Sequence, residues 1–515
     1  MRVPLTIRDF IERAALVYPD RTAVVDEPDR PGSLGTLSYG DLERRARGMA
    51  LALDELGVGM GERIAIVSPN AARFVVAFYG VSAYGRVLVP INFRLNAEEI
   101  GYIVEHSGAT VLLVDPEQDG SLAGVTAKHR VVLDGIADRQ FFAEAPDGAE
   151  PSPWEPDEEA TASINYTSGT TARPKGVEIT HRNAWLNASI FGWHTTVTDR
   201  DVYLHTLPMF HCNGWGMPYA VTAMGVTQIV QRKVDGEQIL QRIESHGVTL
   251  LCGAPAVVAA ILDAASARRA AGTEIPGRGL VRMVVAGAPP PSKTIERVET
   301  ELGWEFIQIY GLTETSPLLT INRRPKEWDG LAPAERAVRL SRAGVPAVGV
   351  RMGLDQDGEL LARSNHVFAG YWQQPADTDK AIVDGWFHTG DGGHFDGAYV
   401  VISDRKKDVI ISGGENVSSI EVEDVLYQHP AVVEVAVIGV PDEKWGETVK
   451  ALVVARPGAE VTEQDLMEHC RAHMAHFKCP TSIEFRDALT RTATGKLQKF
   501  KLREPFWSGR TRQVN

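Results

Sequence analysis

Residues 164–177 read Ile-Asn-Tyr-Thr-Ser-Gly-Thr-Thr-Ala-Arg-Pro-Lys-Gly-Val. Hydroxyls (Thr167, Ser168, Thr170, Thr171), a glycine (Gly169) and a lysine (Lys175) occur here in one short run. Small residues let backbone N–H groups approach phosphate oxygens, hydroxyls add donors, and lysine adds charge. The chemistry that suits this run is polyphosphate binding. It is not a Walker A loop, because the order G-x-x-x-x-G-K-[ST] is absent. A mere loop of turn formers would not need hydroxyls, glycine and lysine together.

Three further segments follow in the chain: Tyr310-Gly311-Leu312-Thr313-Glu314-Thr315, Gly385-Trp386-Phe387-His388-Thr389-Gly390-Asp391 and Arg491-Thr492-Ala493-Thr494-Gly495-Lys496-Leu497. With the phosphate loop they resemble, in type and order, the motifs of the adenylate-forming superfamily of acyl-CoA synthetases, luciferases and peptide-synthetase adenylation domains. The resemblance covers nearly the whole chain. Ala172 departs from it, standing where many members have glycine, which costs the loop backbone freedom.

The resemblance implies a reaction in two halves. A carboxylate attacks the α-phosphate of ATP to give an acyl-adenylate and pyrophosphate. A thiol, usually that of coenzyme A, then takes the acyl group and releases AMP. By the same resemblance Thr167, Ser168, Gly169, Thr170, Thr171 and Lys175 would hold the β- and γ-phosphates. Thr313 would contact the α-phosphate, and Glu314 would hold Mg²⁺, the one setting in which a carboxylate beside a triphosphate is not repelled. Tyr310, followed by Gly311, would lie against the adenine, with Gly287 and Ala288 as the other wall. Asp391 would accept from both ribose hydroxyls, assisted by Arg405. Lys496 would bridge the carboxylate and the α-phosphate as negative charge builds, a task suited to a point charge on a flexible stem. Lys407 would be the hinge of a small C-terminal domain. Its rotation would withdraw Lys496 and bring Gly413 and Gly414 to the thiol tunnel.

Leu207-Pro208-Met209-Phe210-His211-Cys212-Asn213-Gly214-Trp215 resembles the segment bordering the acyl pocket in a branch acting on short- and medium-chain or aromatic acids. Lys326-Glu327-Trp328-Asp329-Gly330-Leu331 echoes the same branch. His211 reads either as a gate for the carboxylate or as a structural histidine. Cys212 reads as packing, since a catalytic thiol needs an electropositive site and a partner base. The motifs leave the acceptor open. Coenzyme A is the first reading; a carrier-protein thiol, an amine or oxidation are alternatives. A nucleotide-binding protein without catalysis is a further alternative, disfavoured by the intact Glu314, Asp391, Arg405 and Lys496.

The elements that must position these residues follow from pattern. At 515 residues the chain is too long for one core, since cores stop growing at about 250–300 residues. Helical and strand patterns alternate through the N-terminal part: a helix over 6–18, a second opening at Ser38–Leu42, a strand Arg63–Val67, a helix over 71–84 and a strand from Val87. The rhythm recurs at Thr249–Leu251, Pro255–Ala264 and Met283–Gly287. Such alternation predicts parallel α/β units. Beyond about residue 350 short strands separated by turns predict a barrel-like subdomain. The charged run Asp404-Arg405-Lys406-Lys407-Asp408 marks a boundary. The expected organisation is a large N-terminal domain, 1–404, of stacked α/β subdomains, and a small mobile α+β domain, 405–515.

Net charge is −14, which argues against nucleic-acid partners, because phosphate backbones need a basic face. The basic tail (Arg491, Lys496, Lys499, Lys501, Arg503, Arg510, Arg512, against Glu504) reads as mostly solvated charge, with weak membrane contact as a lesser possibility. Four cysteines without a C-x-x-C pair fit a reducing compartment. Met1–Phe10 lacks an apolar signal core, Gln513-Val514-Asn515 is not a peroxisomal address, and no stretch reads as a membrane helix, so the expected location is cytoplasmic. The expected assembly is a monomer or homodimer.

Overall fold

The computed structural model describes residues 1–28, 30–167, 173–287, 290–405, 408–412, 415–442, 445–491 and 497–508. Seven strands form one sheet, in the order Gly370–Tyr371, Lys175–Thr180, Thr161–Thr167, Val87–Ile91, Arg63–Val67, Ala109–Val114, His129–Val132. The run from Thr161–Thr167 to His129–Val132 is parallel, as the alternating pattern requires. A nine-stranded sheet has the order Val345–Pro346, Leu318–Arg323, Glu305–Gly311, Arg282–Val285, Leu250–Gly253, Val202–His205, Thr227–Val230, Thr22–Val25, Thr36–Ser38. Its centre is parallel and its edges are antiparallel.

The helix Ala72–Ser82 is buried along its whole length. A helix apolar all round has to be enclosed. Phe74, Phe78 and Tyr79 join one core cluster with Ile64 and Ile66 of the first sheet and Leu250, Val284 and Ile307 of the second. Buried this deeply, the helix start needs a partner for its free N–H groups. Asp26 Oδ1 accepts from the N–H of Ala72 (3.2 Å). The second helix, Tyr39–Glu55, starts where the sequence placed it. Ser38 Oγ accepts from the N–H of Asp41 (3.1 Å), and Asp41 accepts from that of Ser38 (2.8 Å), a capping box.

One helix differs from its expected span. It covers Pro255–Ala270 and does not stop at Ala264. The alanine-rich continuation has high helix propensity, and Arg268 pairs with Glu237 (2.7 Å).

Residues 351–405 supply the barrel-like unit as a five-stranded antiparallel sheet. After it, the strands Ile410–Ser412, Glu415–Val417, Val432–Asp442, Gly446–Ala455 and Ser482–Phe485 make a separate sheet. It has its own core of Val417, Val422, Leu426, Val435, Val437, Ala451, Val453 and Leu466. Asp424 of this unit accepts from the N–H (3.0 Å) and hydroxyl (3.2 Å) of Ser292 in the large region.

Three described charges of the basic tail are less solvated than its composition suggests, while Lys501 is exposed. Lys499 pairs with Glu423 (2.8 Å), Arg503 with Asp408 (2.6 Å) and Arg491 with Glu434 (2.9 Å). Neutralised inside the C-terminal unit, these charges do not form a lipid-facing patch. Among the described residues no helix is long and apolar enough to cross a membrane.

Three buried histidines carry a pH signature. Burial pushes His181, His205 and His366 each down to about 4. His205 Nε2 meets Gln228 Oε1 (3.0 Å), and His366 Nε2 donates to the carbonyl of Leu318 (2.7 Å). Between the ordinary histidine value of about 6.5 and the folded values, the unfolded chain binds more protons, so stability rises with pH there. The melting temperature should therefore fall as pH is lowered from about 6.5 towards 4. A His205→Gln, His366→Gln double variant should show a shallower slope; an equal slope in both proteins would contradict this origin.

Candidate active site

The phosphate loop is the connection between two antiparallel strands. Thr167 at the end of one lies opposite Lys175 at the start of the other. The loop's two flanking residues are thus fixed by the sheet. Lys175 Nζ lies 2.7 Å from Asp377 Oδ2 and 4.8 Å from the centre of the Tyr371 ring. That contact with Lys175 holds the Asp377 carboxyl below its usual range.

Tyr310 and Gly311 end the strand Glu305–Gly311. The parallel pairing of Val285 with Gln308 puts Gly287 and Tyr310 at the same carboxyl edge of the large sheet, where open α/β sheets bind ligands. Gly287 has φ +96, a backbone that glycine adopts without strain. Gly311 is required for a different reason: a Cβ there would lie 1.6 Å from the carbonyl oxygen of Pro317. The chain then makes a short turn, Thr313–Thr315. Thr315 Oγ1 accepts from the N–H of Leu312 (2.9 Å), and Thr315 is fully buried. This fixes the turn that carries Thr313 and Glu314. Tyr371 Oη donates to Glu314 Oε1 (2.9 Å), and the N–H of Phe368 donates to the Glu314 carbonyl (2.8 Å).

Tyr310 Oη donates to Asp391 Oδ2 (2.8 Å), both side chains being buried. Two motifs far apart in sequence, expected to serve adenine and ribose, therefore meet. Asp391 sits on the strand Trp386–Asp396, with Arg405 opposite it on the neighbouring strand. Glu359, which no motif singled out, sets this position. It accepts from the N–H of Gly390 (2.8 Å) and meets His388 Nδ1 (3.2 Å). Thr389 Oγ1 donates to the carbonyl of Leu360 (2.7 Å) and accepts from the N–H of Asp391 (3.2 Å). Asp355, Glu359 and His388 bring their donor atoms within 4.8 Å of one another. Asp355 Oδ1 accepts from the N–H groups of Asp357 (2.9 Å) and Glu359 (2.7 Å). The Glu359 contacts with Gly390 and His388 tie the cluster to the strand that carries Asp391.

The segment expected at the acyl pocket holds an unusual backbone. Cys212, Asn213, Gly214, Trp215 and Gly216 have φ of 46, 50, 59, 61 and 74°. This is a left-handed helical turn, which costs about 1–2 kcal/mol for each residue with a Cβ. Hydrogen bonds from buried asparagines offset the strain. Asn213 Nδ2 donates to Ser163 Oγ (2.8 Å), and Asn165 Nδ2 donates to Asn213 Oδ1 (3.2 Å). Asn187 Nδ2 donates to the carbonyl of Trp215 (3.1 Å). Ser163 and Asn165 belong to the strand that leads into the phosphate loop, so the acyl segment and that loop share one polar network. Cys212 is buried, its Sγ 3.9 Å from the carbonyl of Thr313, in accord with packing. His211 is half-buried at the start of the turn. Trp328 packs on Tyr399 with ring centres 5.8 Å apart and serves a core.

Thus the structure brings together Thr167, Lys175, Thr313, Glu314, Tyr310, Gly311, Gly287 and Asp391. Ser168, Gly169, Thr170, Thr171, Ala172, Ala288, Lys407, Gly413, Gly414 and Lys496 lie outside the described residues, as does the side chain of Arg405. The donor set present suits magnesium-bound ATP: a lysine at the loop, a carboxylate on a rigid turn, and an aromatic ring bonded to a buried carboxylate at one sheet edge.

Two family models match the chain: AMP-binding enzyme over residues 11–372, and AMP-binding enzyme C-terminal domain over residues 421–496. A 2-methylpropanoate–CoA ligase of Humulus lupulus is 38% identical, covering 97% of this chain and 95% of its own. A 4-hydroxybutyrate–CoA ligase of Metallosphaera sedula is 36% identical, covering 96% and 93%. The o-succinylbenzoate CoA synthetase of Bacillus subtilis, solved with its acyl-adenylate intermediate, superposes with TM-score 0.81 at 27% identity over 96% of this chain and 97% of that one. With its motifs arranged on this fold, the chain belongs to the AMP-binding enzyme family, within the adenylate-forming superfamily.

Proposed function

We propose that this protein, an AMP-forming acid–CoA ligase that uses ATP, Mg²⁺ and coenzyme A, activates a short or medium-chain carboxylic acid, branched acids included. The carrying observation is the left-handed turn Cys212–Gly216, which carries Trp215. It sets a buried, bulky indole on the segment that resembles the acyl-pocket border. The 2-methylpropanoate and 4-hydroxybutyrate ligases support the same substrate class.

In the first half-reaction a carboxylate oxygen bonds to the α-phosphorus of ATP, and pyrophosphate leaves with the electrons of the broken P–O bond. Tyr310 and Gly287 enclose the adenine, and Asp391 holds the ribose. The Tyr310 hydroxyl fixes one oxygen of Asp391, so the carboxylate is oriented before the nucleotide arrives. Thr167 and Lys175 flank the β- and γ-phosphates; Glu314 is the residue that would hold Mg²⁺, which neutralises phosphate charge. Lys496 bridges the attacking carboxylate and the α-phosphate. In the second half-reaction the thiol sulfur bonds to the acyl carbon, AMP leaves, and the thiol proton is released. His211 stands at the carboxylate's approach.

The lid belongs to the same proposal: residues 1–404 bind the nucleotide and acid, and 405–515 rotate about a hinge at Lys407. The separate core of the C-terminal unit and its contact through Asp424 and Ser292 support it. A cytoplasmic location is supported by Cys212, Cys252, Cys470 and Cys479, which are buried as thiols. All the motifs lie within one chain, so a monomer or a homodimer would serve.

Two outcomes check the reading. Pyrophosphate release should saturate with C4–C6 linear and branched acids, be stimulated by coenzyme A and fail with palmitate. Equal turnover of palmitate would remove the substrate class, and indifference to coenzyme A would point to another acceptor. Lys496→Ala should lower adenylation by about 10²–10³-fold, the scale for losing one group that stabilises transition-state charge. It should leave thioester formation from supplied acyl-adenylate intact; undiminished adenylation would refute the role given to Lys496.

A further inference from the structure

No motif pointed to the segment 368–381, yet it connects two groups expected to meet the polyphosphate. Its short strand Gly370–Tyr371 pairs with the strand that begins at Lys175, and the N–H of Trp372 donates to the carbonyl of Gly176 (2.8 Å). Tyr371 and Phe368 hold Glu314 through its carboxylate and its carbonyl. Burial and the neighbouring Glu314 push the Tyr371 phenol well up, so it stays a donor. The segment then enters the helix Pro375–Ala381, fixed to the strand by Thr378 Oγ1, which accepts from the N–H of Tyr371 (2.9 Å). Asp377, in the first turn of this helix, reaches Lys175 (2.7 Å) and also Lys380 (3.5 Å).

We propose that Asp377 is a positioning residue that exchanges Lys175 with the nucleotide phosphates, and so governs how readily pyrophosphate leaves. The inference rests on the reading of Lys175 as a phosphate ligand. Lys175 and Asp377 keep 24% and 32% of their side chains exposed. An ion pair this accessible to water is weak, so a phosphate that carries more charge displaces the carboxylate. Lys380 remains beside Asp377 and compensates its charge while Lys175 is away. When the α–β bond has broken, Lys175 must release pyrophosphate. Asp377, held by the segment that also holds Glu314, offers the ammonium its resting partner again. The carboxylate thus competes with the leaving product for one cation.

The sign of the effect separates this role from a merely structural one. In the full-length enzyme Asp377→Asn removes the competitor, so pyrophosphate should bind more tightly: its product-inhibition constant should fall about 3–10-fold. The KM for the acid should stay within about twofold, and Asp377→Glu should keep the wild-type constant. Lys175→Ala is the control and should weaken pyrophosphate inhibition. An unchanged or raised constant in Asp377→Asn, with Lys175→Ala behaving as expected, overturns the exchange alone. An unchanged constant in Lys175→Ala overturns both the exchange and the phosphate role of Lys175.

Discussion

Two anions have to meet for this chemistry to occur. At about 4 Å two like unit charges repel by about 4 kcal/mol when the effective dielectric constant is near 20. The chain as a whole adds to the difficulty, since its net charge is −14. The positive charge that brings a carboxylate to a triphosphate has to be local, limited in number and held in place. Lys175 illustrates the proposed solution. It lies directly opposite Thr167 across the phosphate-loop strands, and its resting counter-ion comes from a distant helix. Bulk charge, from which the absence of a nucleic-acid partner is expected, does not describe the site.

Placement on this scale needs a rigid platform. Two largely parallel sheets share the fully buried helix Ala72–Ser82. The carboxyl edge of the nine-stranded sheet and the antiparallel sheet of residues 351–405 meet at Tyr310 and Asp391. Local backbone cost is accepted where the site needs it. The left-handed turn Cys212–Gly216 is strained, and Asn165, Asn187 and Asn213 hold it with hydrogen bonds worth about 1 kcal/mol each net. Because Asn165 belongs to the phosphate-loop strand, disturbance of the acyl segment reaches that loop through a buried polar network.

Much of this was legible in the sequence where the governing interaction is local. The capping box of Ser38 and Asp41, the strand Arg63–Val67 and the helix near Ala72–Ser82 follow from neighbours in the chain. The motifs placed Tyr310, Glu314 and Asp391 because their residue types and order resemble a known family. What escaped depends on distant partners. Asp377 is an ordinary first-turn acid until folding sets it against Lys175. Glu359 opens the strand Glu359–Arg363, and only its pairing with the strand that carries Asp391 gives it a role. Asn213, set among the apolar residues around Cys212, was a usable signal, since a buried amide demands partners. The full left-handed turn was not: Asn213, Gly214 and Gly216 tolerate positive φ, but Cys212 and Trp215 do not announce it. The basic tail misled in the opposite direction at three described residues: Lys499, Arg503 and Arg491 pair with Glu423, Asp408 and Glu434.

The central claim is that the acid's own oxygen becomes bonded to the α-phosphorus. Turnover of 2-methylpropanoate labelled with ¹⁸O in both carboxyl oxygens tests it most directly, with mass analysis of the nucleotide and of inorganic phosphate. The account predicts one ¹⁸O in AMP for each thioester formed, and none in pyrophosphate or phosphate. Label in inorganic phosphate, with ADP as the nucleotide product, would contradict it.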